Sequence, residues 1–275
     1  MNRLKTILIL GIMTGLILAG GYYLGGQRGA TYALIMSAVM NMGAYWFSDK
    51  MVLALYKAKP IDPHEHRDLQ QMVQQLATFA EIPMPRLYIV QMATPNAFAT
   101  GRNPAHAVVC VTTGILELLT KDELRGVLAH ELSHVVNRDI LVSSVAATLA
   151  GALSYIAQFA YFTGGRRDDR SGFGSIIFLI LTPIIATLLH LAISRSREYL
   201  ADESGAKLSH DPMSLASALK KISGIAKAHP LHSEPKYQAT AHMFIINPFS
   251  GGGLRSLFST HPPVEERIKR LEAMR

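Results

Sequence analysis

Three residues in a short segment could together bind and use a metal ion. His130 and His134 stand four residues apart, with Glu131 between them. On a helix, positions four apart lie on one face, so both imidazoles can reach one zinc ion at ~2.0–2.1 Å while the glutamate stands beside them. The apolar neighbours Val127 and Val135 argue against a solvated helix face. The pattern predicts a site for one zinc ion with a carboxylate able to activate water.

A catalytic zinc site needs a third protein ligand and one open position for water. The segment SRSREYLAD at 194–202 offers Glu198 and Asp202, which are four apart and therefore share a helix face. One carboxylate can bind the metal while the other accepts the free N–H of a ligand imidazole. An ion-paired surface helix is the alternative that spacing alone leaves open.

The elements that must position these residues follow from turn and cap signals. Thr120 and Glu123 have the form of a capping box, which predicts a helix start; that helix should run through the site into the apolar segment beyond it. Another helix is predicted from Pro63. The β-like runs RLYIVQM at 86–92 and HAVVCVTTG at 106–114 predict a small antiparallel sheet.

The second of these β-like runs is a candidate binding surface for an extended polypeptide. If residues 107–112 form an edge strand, substrate can pair with the main chain around Val109 and Val111. Asn96 could add a side-chain bond to the same substrate backbone. The alternative for this strand is simple packing around Cys110, the single cysteine, which is predicted to be a buried small hydrophobe.

Composition places the chain among membrane proteins. Of its 275 residues, 49% are hydrophobic and 17% are charged, against a charged share of about 25% in soluble domains. A single cysteine excludes a disulfide scaffold. The net charge of +7 comes without basic runs interleaved with aromatics, so we expect no nucleic-acid partner, and anionic lipid is the better attractor.

Residues 4–26 and 30–47 form two long apolar segments, each able to cross a hydrocarbon core as a helix of ~20 residues. A cleaved signal peptide is the competing interpretation of the first, but its apolar run is too long and a second follows at once. Only residues 27–29 separate them, which predicts a tight transmembrane hairpin. The basic flanks, which include Lys5 and Lys50, put both ends of the hairpin in the cytoplasm.

Two later apolar segments, at 140–162 and 176–193, allow two interpretations. A full crossing of both would leave Arg166, Arg167 and Arg170 outside, against the positive-inside tendency. A hairpin that dips into one leaflet or packs on protein is the alternative.

The predicted fold class is a mainly α membrane protein with transmembrane helices and a small antiparallel β-sheet. Its expected organisation is a transmembrane hairpin at 1–56, a first part of the catalytic domain at 57–139, two apolar helices at 140–193 and a second part at 194–275.

Three motifs in one order identify a resemblance. HELSH at 130–134, SRSREYLAD at 194–202 and THPPVEERIKRL at 260–271, behind an N-terminal apolar hairpin, resemble the HtpX family of bacterial membrane zinc metalloproteases, relatives of the CAAX-prenyl endoproteases. The resemblance implies a zincin-type protease domain with His130, His134 and Glu198 as zinc ligands and Glu131 as catalytic base. It further implies a multi-pass protein of the bacterial inner membrane, with its catalytic domain in the cytoplasm.

The same resemblance implies a role in the quality control of membrane proteins. The expected partners are polypeptide substrates and the lipid bilayer, and the sequence does not say whether other membrane proteases bind to it.

His261 is the candidate donor of a hydrogen bond to the developing oxyanion, and Tyr199 is the alternative. A local role for His261 in fixing its turn is equally open. Processing of prenylated peptides is the rival activity. A non-enzymatic transporter or zinc-stabilised scaffold is disfavoured because Glu131 is a base that a structural zinc site would not need.

Overall fold

The computed structural model describes residues 2–150, 195–231, 240–246 and 262–274. Segment 176–193, segment 140–162 beyond residue 150, the loop around 248–253 and His261 lie outside the described residues.

Helix α1 spans Asn2–Leu55 and reverses direction within itself. Its backbone leaves helical geometry at Gly25 and Gly26, so the reversal occurs slightly before the predicted residues 27–29. The two arms then run side by side: the Asn41 amide donates to Thr14 Oγ1 at 2.8 Å. Within the described residues, one window of a helix, Thr6–Tyr23, is long and apolar enough to cross a membrane.

A four-stranded sheet follows, in the order β1-β2-β4-β3. Its strands are β1 Lys59–Pro60, β2 Arg86–Val90, β3 Ala97–Thr100 and β4 Val108–Thr112, and helix α2, Arg67–Phe79, lies between β1 and β2. Helix α2 begins four residues after the predicted start at Pro63.

The sheet is mixed, so the prediction of a purely antiparallel sheet was wrong. Strands β2 and β4 are parallel, while β3 pairs antiparallel with β4. The connection between the two β-like runs contains β3, and the chain therefore reverses twice before β4 begins. This also makes β4 an interior strand, with β2 on one side and β3 on the other. The prediction of an edge strand at 107–112 was wrong for the same reason, and the edge strand next to β4 is β3.

Helix α3 covers Thr113–Leu118 and helix α4 covers Lys121–Val136. The predicted capping box at the start of α4 is confirmed, with Thr120 and Glu123 each bonding the other's backbone N–H. The helix does not continue into the apolar segment as expected. Arg138 has a φ of +58°, which breaks the helix, and α5 begins at Ile140 and is described as far as Ala150.

Three further helices complete the described fold: α6 Arg195–Ser209, α7 Pro212–Ala228 and α8 Val264–Glu272. Helix α4 lies in the middle of the core, packed against α6 and α7. Gly205 of α6 sits against the backbone of His130, where a Cβ atom would collide with the His130 N and Cα. The lack of a side chain at Gly205 therefore lets α6 approach α4 closely.

A second buried cluster joins α1 to the sheet. Val52, Leu53 and Tyr56 at the end of the second arm pack with Phe98 of β3 and with Phe244. The Tyr56 hydroxyl also lies 2.5 Å from Thr240 Oγ1. The hairpin is thus packed onto the strand next to the candidate site.

Candidate metal centre

Helices α4 and α6 bring three metal-ligating side chains together. One ligand atom from each of His130, His134 and Glu198 lies within 4.8 Å of the other two. The Nε2 atoms of the histidines are 3.9 and 3.6 Å from the Glu198 carboxylate oxygens, and the two imidazole rings meet edge to face. Two imidazoles and a carboxylate are a ligand set that zinc takes in hydrolases.

A carboxylate stands behind each histidine. Asp202 Oδ1 lies 2.9 Å from His130 Nδ1, and Asp139 Oδ2 lies 3.2 Å from His134 Nδ1. With Nδ1 engaged in this way, Nε2 of each ring is directed to the shared centre. Burial lowers the pKa of His130, which favours the neutral imidazole that binds metal.

Arg267 of α8 holds the carboxylate behind His130. Its guanidinium reaches both oxygens of Asp202 at 2.8 and 2.7 Å, and it donates to the Ile245 carbonyl at 2.8 Å. Arg267 is fully buried, at 0% exposure. A two-point contact of this kind fixes orientation as well as charge.

The charge of the buried cluster fits a divalent cation. Four carboxylates lie in it, those of Glu131, Asp139, Glu198 and Asp202, and all are buried. Only two guanidinium groups among the described residues accompany them, those of Arg197 and Arg267. Without a metal ion, burial alone would lower the pKa of His134, but the neighbouring Asp139 and Glu198 carboxylates outweigh it and raise that pKa to about 9, so a proton on the His134 ring balances part of this charge. With both histidines neutral and all four carboxylates ionised, as metal binding requires, the excess is two negative charges, which is costly away from water unless a cation balances it.

Glu131 lies beside the three ligand candidates without joining them. Its carboxylate accepts a hydrogen bond of 3.0 Å from the backbone N–H of Ala99 in β3. Burial, with a smaller contribution from the charge of Glu198, raises the pKa of Glu131 to about 7 against the opposing effects of His134 and the Ala99 N–H. The hydrogen bond from Ala99 holds this carboxylate next to β3.

A cavity opens onto this cluster. It is lined by Phe98 and Ala99 of β3, by the two histidines and Glu131, and by the start of α5 with residues 242–245. Strand β3 therefore forms part of the wall of the cavity.

The other described residues predicted for the site are not part of the ligand cluster. The Asn96 side chain bonds the protein's own backbone, at Met243 O and Ile245 N. Val109 and Val111 are buried in interior strand β4. The ring centroid of Tyr199 lies 3.7 Å from the guanidinium carbon of Arg270, and Tyr199 is not among the residues that line the cavity.

Sequence reasoning missed four residues of the site. Asp139 follows the break after α4, and a continuous helix would have carried it away from His134. Arg197 donates to Asp139 at 3.3 Å, and its place in SRSREYLAD is the signal that could have found it. Arg267 lies in the quoted THPPVEERIKRL motif, but no periodicity links it to Asp202. His242 lines the cavity from a short segment without a motif.

The comparisons with known proteins agree with this geometry. The sequence profile of peptidase family M48 matches residues 63–275. A protease HtpX homolog of Syntrophobacter fumaroxidans is 51% identical over 282 residues, which cover 99% of each chain. The homolog of Methylibium petroleiphilum is 50% identical over 276 residues, covering 99% of this chain and 98% of its own.

A solved structure supports the fold. The crystal structure of S. mikatae Ste24p matches 98% of this chain with a TM-score of 0.53 at 18% identity, and the match covers 65% of that longer chain. The family match includes every described residue of the cluster around His130. On this evidence the chain belongs to peptidase family M48 and is a zinc-dependent metalloprotease.

Proposed function

We propose that this metalloprotease is an integral membrane endopeptidase that cuts misfolded or surplus membrane proteins at cytoplasmic, membrane-proximal segments. The observation that carries the proposal is the packing of an apolar hairpin directly onto the strand beside the metal centre. Phe98, which lines the cavity, also contacts Tyr56 of α1, with ring centroids 5.1 Å apart.

The surface of the hairpin supports its insertion into lipid. Large apolar side chains are exposed along both arms, a contiguous patch that soluble monomers rarely carry. They include Leu4, Ile7 and Leu8 on the first arm and Leu34, Ile35, Met36, Val39 and Met42 on the second. Lys50 near the end of the second arm, with Lys57 and Lys59 just beyond it, favours a cytoplasmic catalytic domain.

We assign His130, His134 and Glu198 as the zinc ligands, Asp202 as the partner that orients His130, and Glu131 as the catalytic base. When bound, zinc supplies a Lewis acid that polarises the scissile carbonyl and lowers the pKa of water toward ~7. The buried carboxylates around the two histidines favour retention of that dication.

The chain's own residues then handle the proton. A Glu131 oxygen takes one proton from the attacking water as the new C–O bond forms at the scissile carbonyl carbon. The same carboxyl gives the proton to the amide nitrogen as the C–N bond breaks, which releases an amine. The Ala99 N–H holds this carboxylate in place. His261 remains the proposed donor to the developing oxyanion.

Substrate is expected to lie along β3 rather than along the β4 residues Val109 and Val111. The Ala99 N–H points to Glu131 and not to β4, so alternate β3 residues present backbone groups at the sheet edge. No further strand pairs with β3 in the described part of the chain. An extended polypeptide can add there through main-chain bonds, with little demand on its sequence.

A distance series tests the membrane-proximal preference. One cleavable sequence is placed at increasing distance from the transmembrane helix of a model substrate in liposomes, and cleavage is followed. We expect efficiency to fall with distance and a soluble version to be cut more slowly at equal concentration. Equal cleavage at all distances would reduce the hairpin to an anchor without influence on substrate choice.

A further inference from the structure

The second arm of α1 becomes partly covered by the rest of the protein after residue 47. Before this point its exposed side chains, such as Val39 and Met42, are mainly apolar; after it, Ser48, Asp49 and Val52 are buried while Lys50 stays exposed. If the hairpin lies in lipid, this change marks the level at which the arm leaves the hydrocarbon.

Two aromatic side chains at this level make cation–π contacts. Trp46 is 49% exposed, and the guanidinium of Arg102 lies 4.7 Å from its ring centroid. At the next residue along the helix, the ring of Phe47 lies 5.4 Å from Lys50 Nζ. Tryptophan with adjacent cations is the composition that membrane–water interfaces favour.

Lys50 contributes an exposed positive charge at the same level. The nearby acid Asp49 is paired with Arg86 at 2.7 Å. The level is therefore rich in cations and fits an anionic partner.

Arg102 belongs to the turn directly after β3. Its neighbour Gly101 has a φ of +133° and donates to Ser144 Oγ at 3.1 Å, which fixes the turn to α5. Ala99, whose N–H holds Glu131, is three residues before Arg102, at most about 11 Å along an extended chain. What holds Arg102 therefore also holds the strand whose Ala99 N–H bonds Glu131.

We propose that Trp46 and Arg102 form an interfacial anchor that binds the phosphate groups of anionic lipids and holds the end of β3 at the headgroup level. The anchor rests on the proposed insertion of the hairpin. Its consequence is that the depth of the metal centre is set by the edge strand itself, in addition to the apolar helices.

Trp46 is the single tryptophan of the chain, so its emission reports on the anchor without a label. The full chain is reconstituted into phosphatidylcholine vesicles whose acyl chains carry bromine near the headgroup or near the chain end. We expect shallow bromine to quench Trp46 about twice as strongly as deep bromine. A Met36→Trp, Trp46→Phe double variant, with its probe in the middle of the arm, should show the opposite order.

Lipid selectivity tests the role of Arg102. Brominated phosphatidylglycerol and brominated phosphatidylcholine are compared at equal mole fractions. Each cation near the surface should favour the anionic lipid at Trp46 about fivefold, so Arg102→Gln should lower that preference about fivefold. Arg125→Gln is the matched control, because Arg125 is half-buried and bonds Gln75 on α2, and it should keep the preference.

Each contrary result has a separate meaning. Deep quenching at position 36 with no shallow quenching of Trp46 would overturn the anchor and leave hairpin insertion standing. No quenching at either position would overturn both. Equal quenching by the two lipids in the wild type, or a preference that Arg102→Gln leaves undiminished, would show that Arg102 does not bind lipid phosphate.

Discussion

Each histidine of the metal centre is oriented by a carboxylate that is itself held by an arginine. Asp202 is held by Arg267 and Asp139 by Arg197, so both imidazoles rest on buried ion pairs. Partners of this kind fix the tautomer and the direction of a ligand ring before metal arrives. Breaking one of them should therefore affect zinc binding even though none touches the metal.

Arg267→Gln and Asp202→Ala should each weaken zinc binding by roughly 10–100-fold, as is typical for partners of a ligand histidine. Arg267→Lys keeps the charge but loses the two-point contact, so its loss should be smaller. Zinc affinity is measured by competition with a chelator, alongside circular dichroism to establish folding. Arg270→Gln, on the same helix but exposed, should bind zinc as the wild type does. Wild-type affinity in a folded Arg267→Gln would rule out the positioning role.

Helix α4 depends on its first turn as much as on its buried ligands. Glu123 bonds the Thr120 N–H at 2.9 Å and also accepts from Ser217 at 2.7 Å and Lys221 at 2.8 Å on α7. Burial by itself would raise the pKa of Glu123, but these three partners outweigh it and lower the pKa to about 2. One carboxylate thus joins the cap of α4 to the helix packed against it.

Glu123→Gln should lower the free energy of unfolding by about 1–2 kcal/mol near neutral pH, because it loses a charged cap and a partly screened ion pair. The depressed pKa means that this stabilisation is present above the ordinary value of 4.5 and is lost as pH falls toward about 2. The difference between wild type and variant should therefore shrink across that window in denaturation midpoints. Glu203→Gln, at an exposed pair with Lys207, should change little. A pH-independent difference would show that the carboxylate charge is not involved.

The elements that sequence could predict are those with a local signal. The cap at Thr120, the HELSH face, the later helices and the burial of Cys110 are all set by neighbours within a few positions. The position of β3 could not be predicted from the sequence, because a strand of four residues is too short for its hydrophobic alternation to indicate which strand it pairs with. The break at Arg138 was missed for a related reason, since a positive φ at a non-glycine residue has no signature in the apolar pattern around it.

Across the whole molecule, the hairpin and the catalytic fold share a core. Tyr56 is buried among Phe98, Phe244 and Val52, and its hydroxyl contacts Thr240. The α1 helix therefore contributes packing to the strand that lines the cavity. A chain without this helix end would expose Phe98 and Phe244 to water.

Tyr56→Ala should destabilise the protein by about 3–5 kcal/mol through the cavity it leaves, whereas Tyr56→Phe should cost about 1 kcal/mol for the lost hydroxyl contact. Thermal denaturation of the full chain in detergent, followed by circular dichroism, compares the two. Tyr23→Ala serves as the control, since Tyr23 is exposed on the first arm. Similar midpoints for Tyr56→Ala and Tyr23→Ala would mean that the hairpin and the catalytic fold are energetically separate.

The central claim is that His130, His134 and Glu198 hold the zinc ion on which Glu131 performs peptide hydrolysis. Zinc content after dialysis and cleavage of an unfolded membrane protein are measured together for the wild type, Glu131→Gln and Glu198→Ala, each purified in detergent. We predict one zinc per chain and active cleavage for the wild type, zinc retained without cleavage for Glu131→Gln, and loss of both for Glu198→Ala. Near-normal cleavage by Glu131→Gln, or zinc retention by Glu198→Ala equal to that of the wild type, would contradict the assignment.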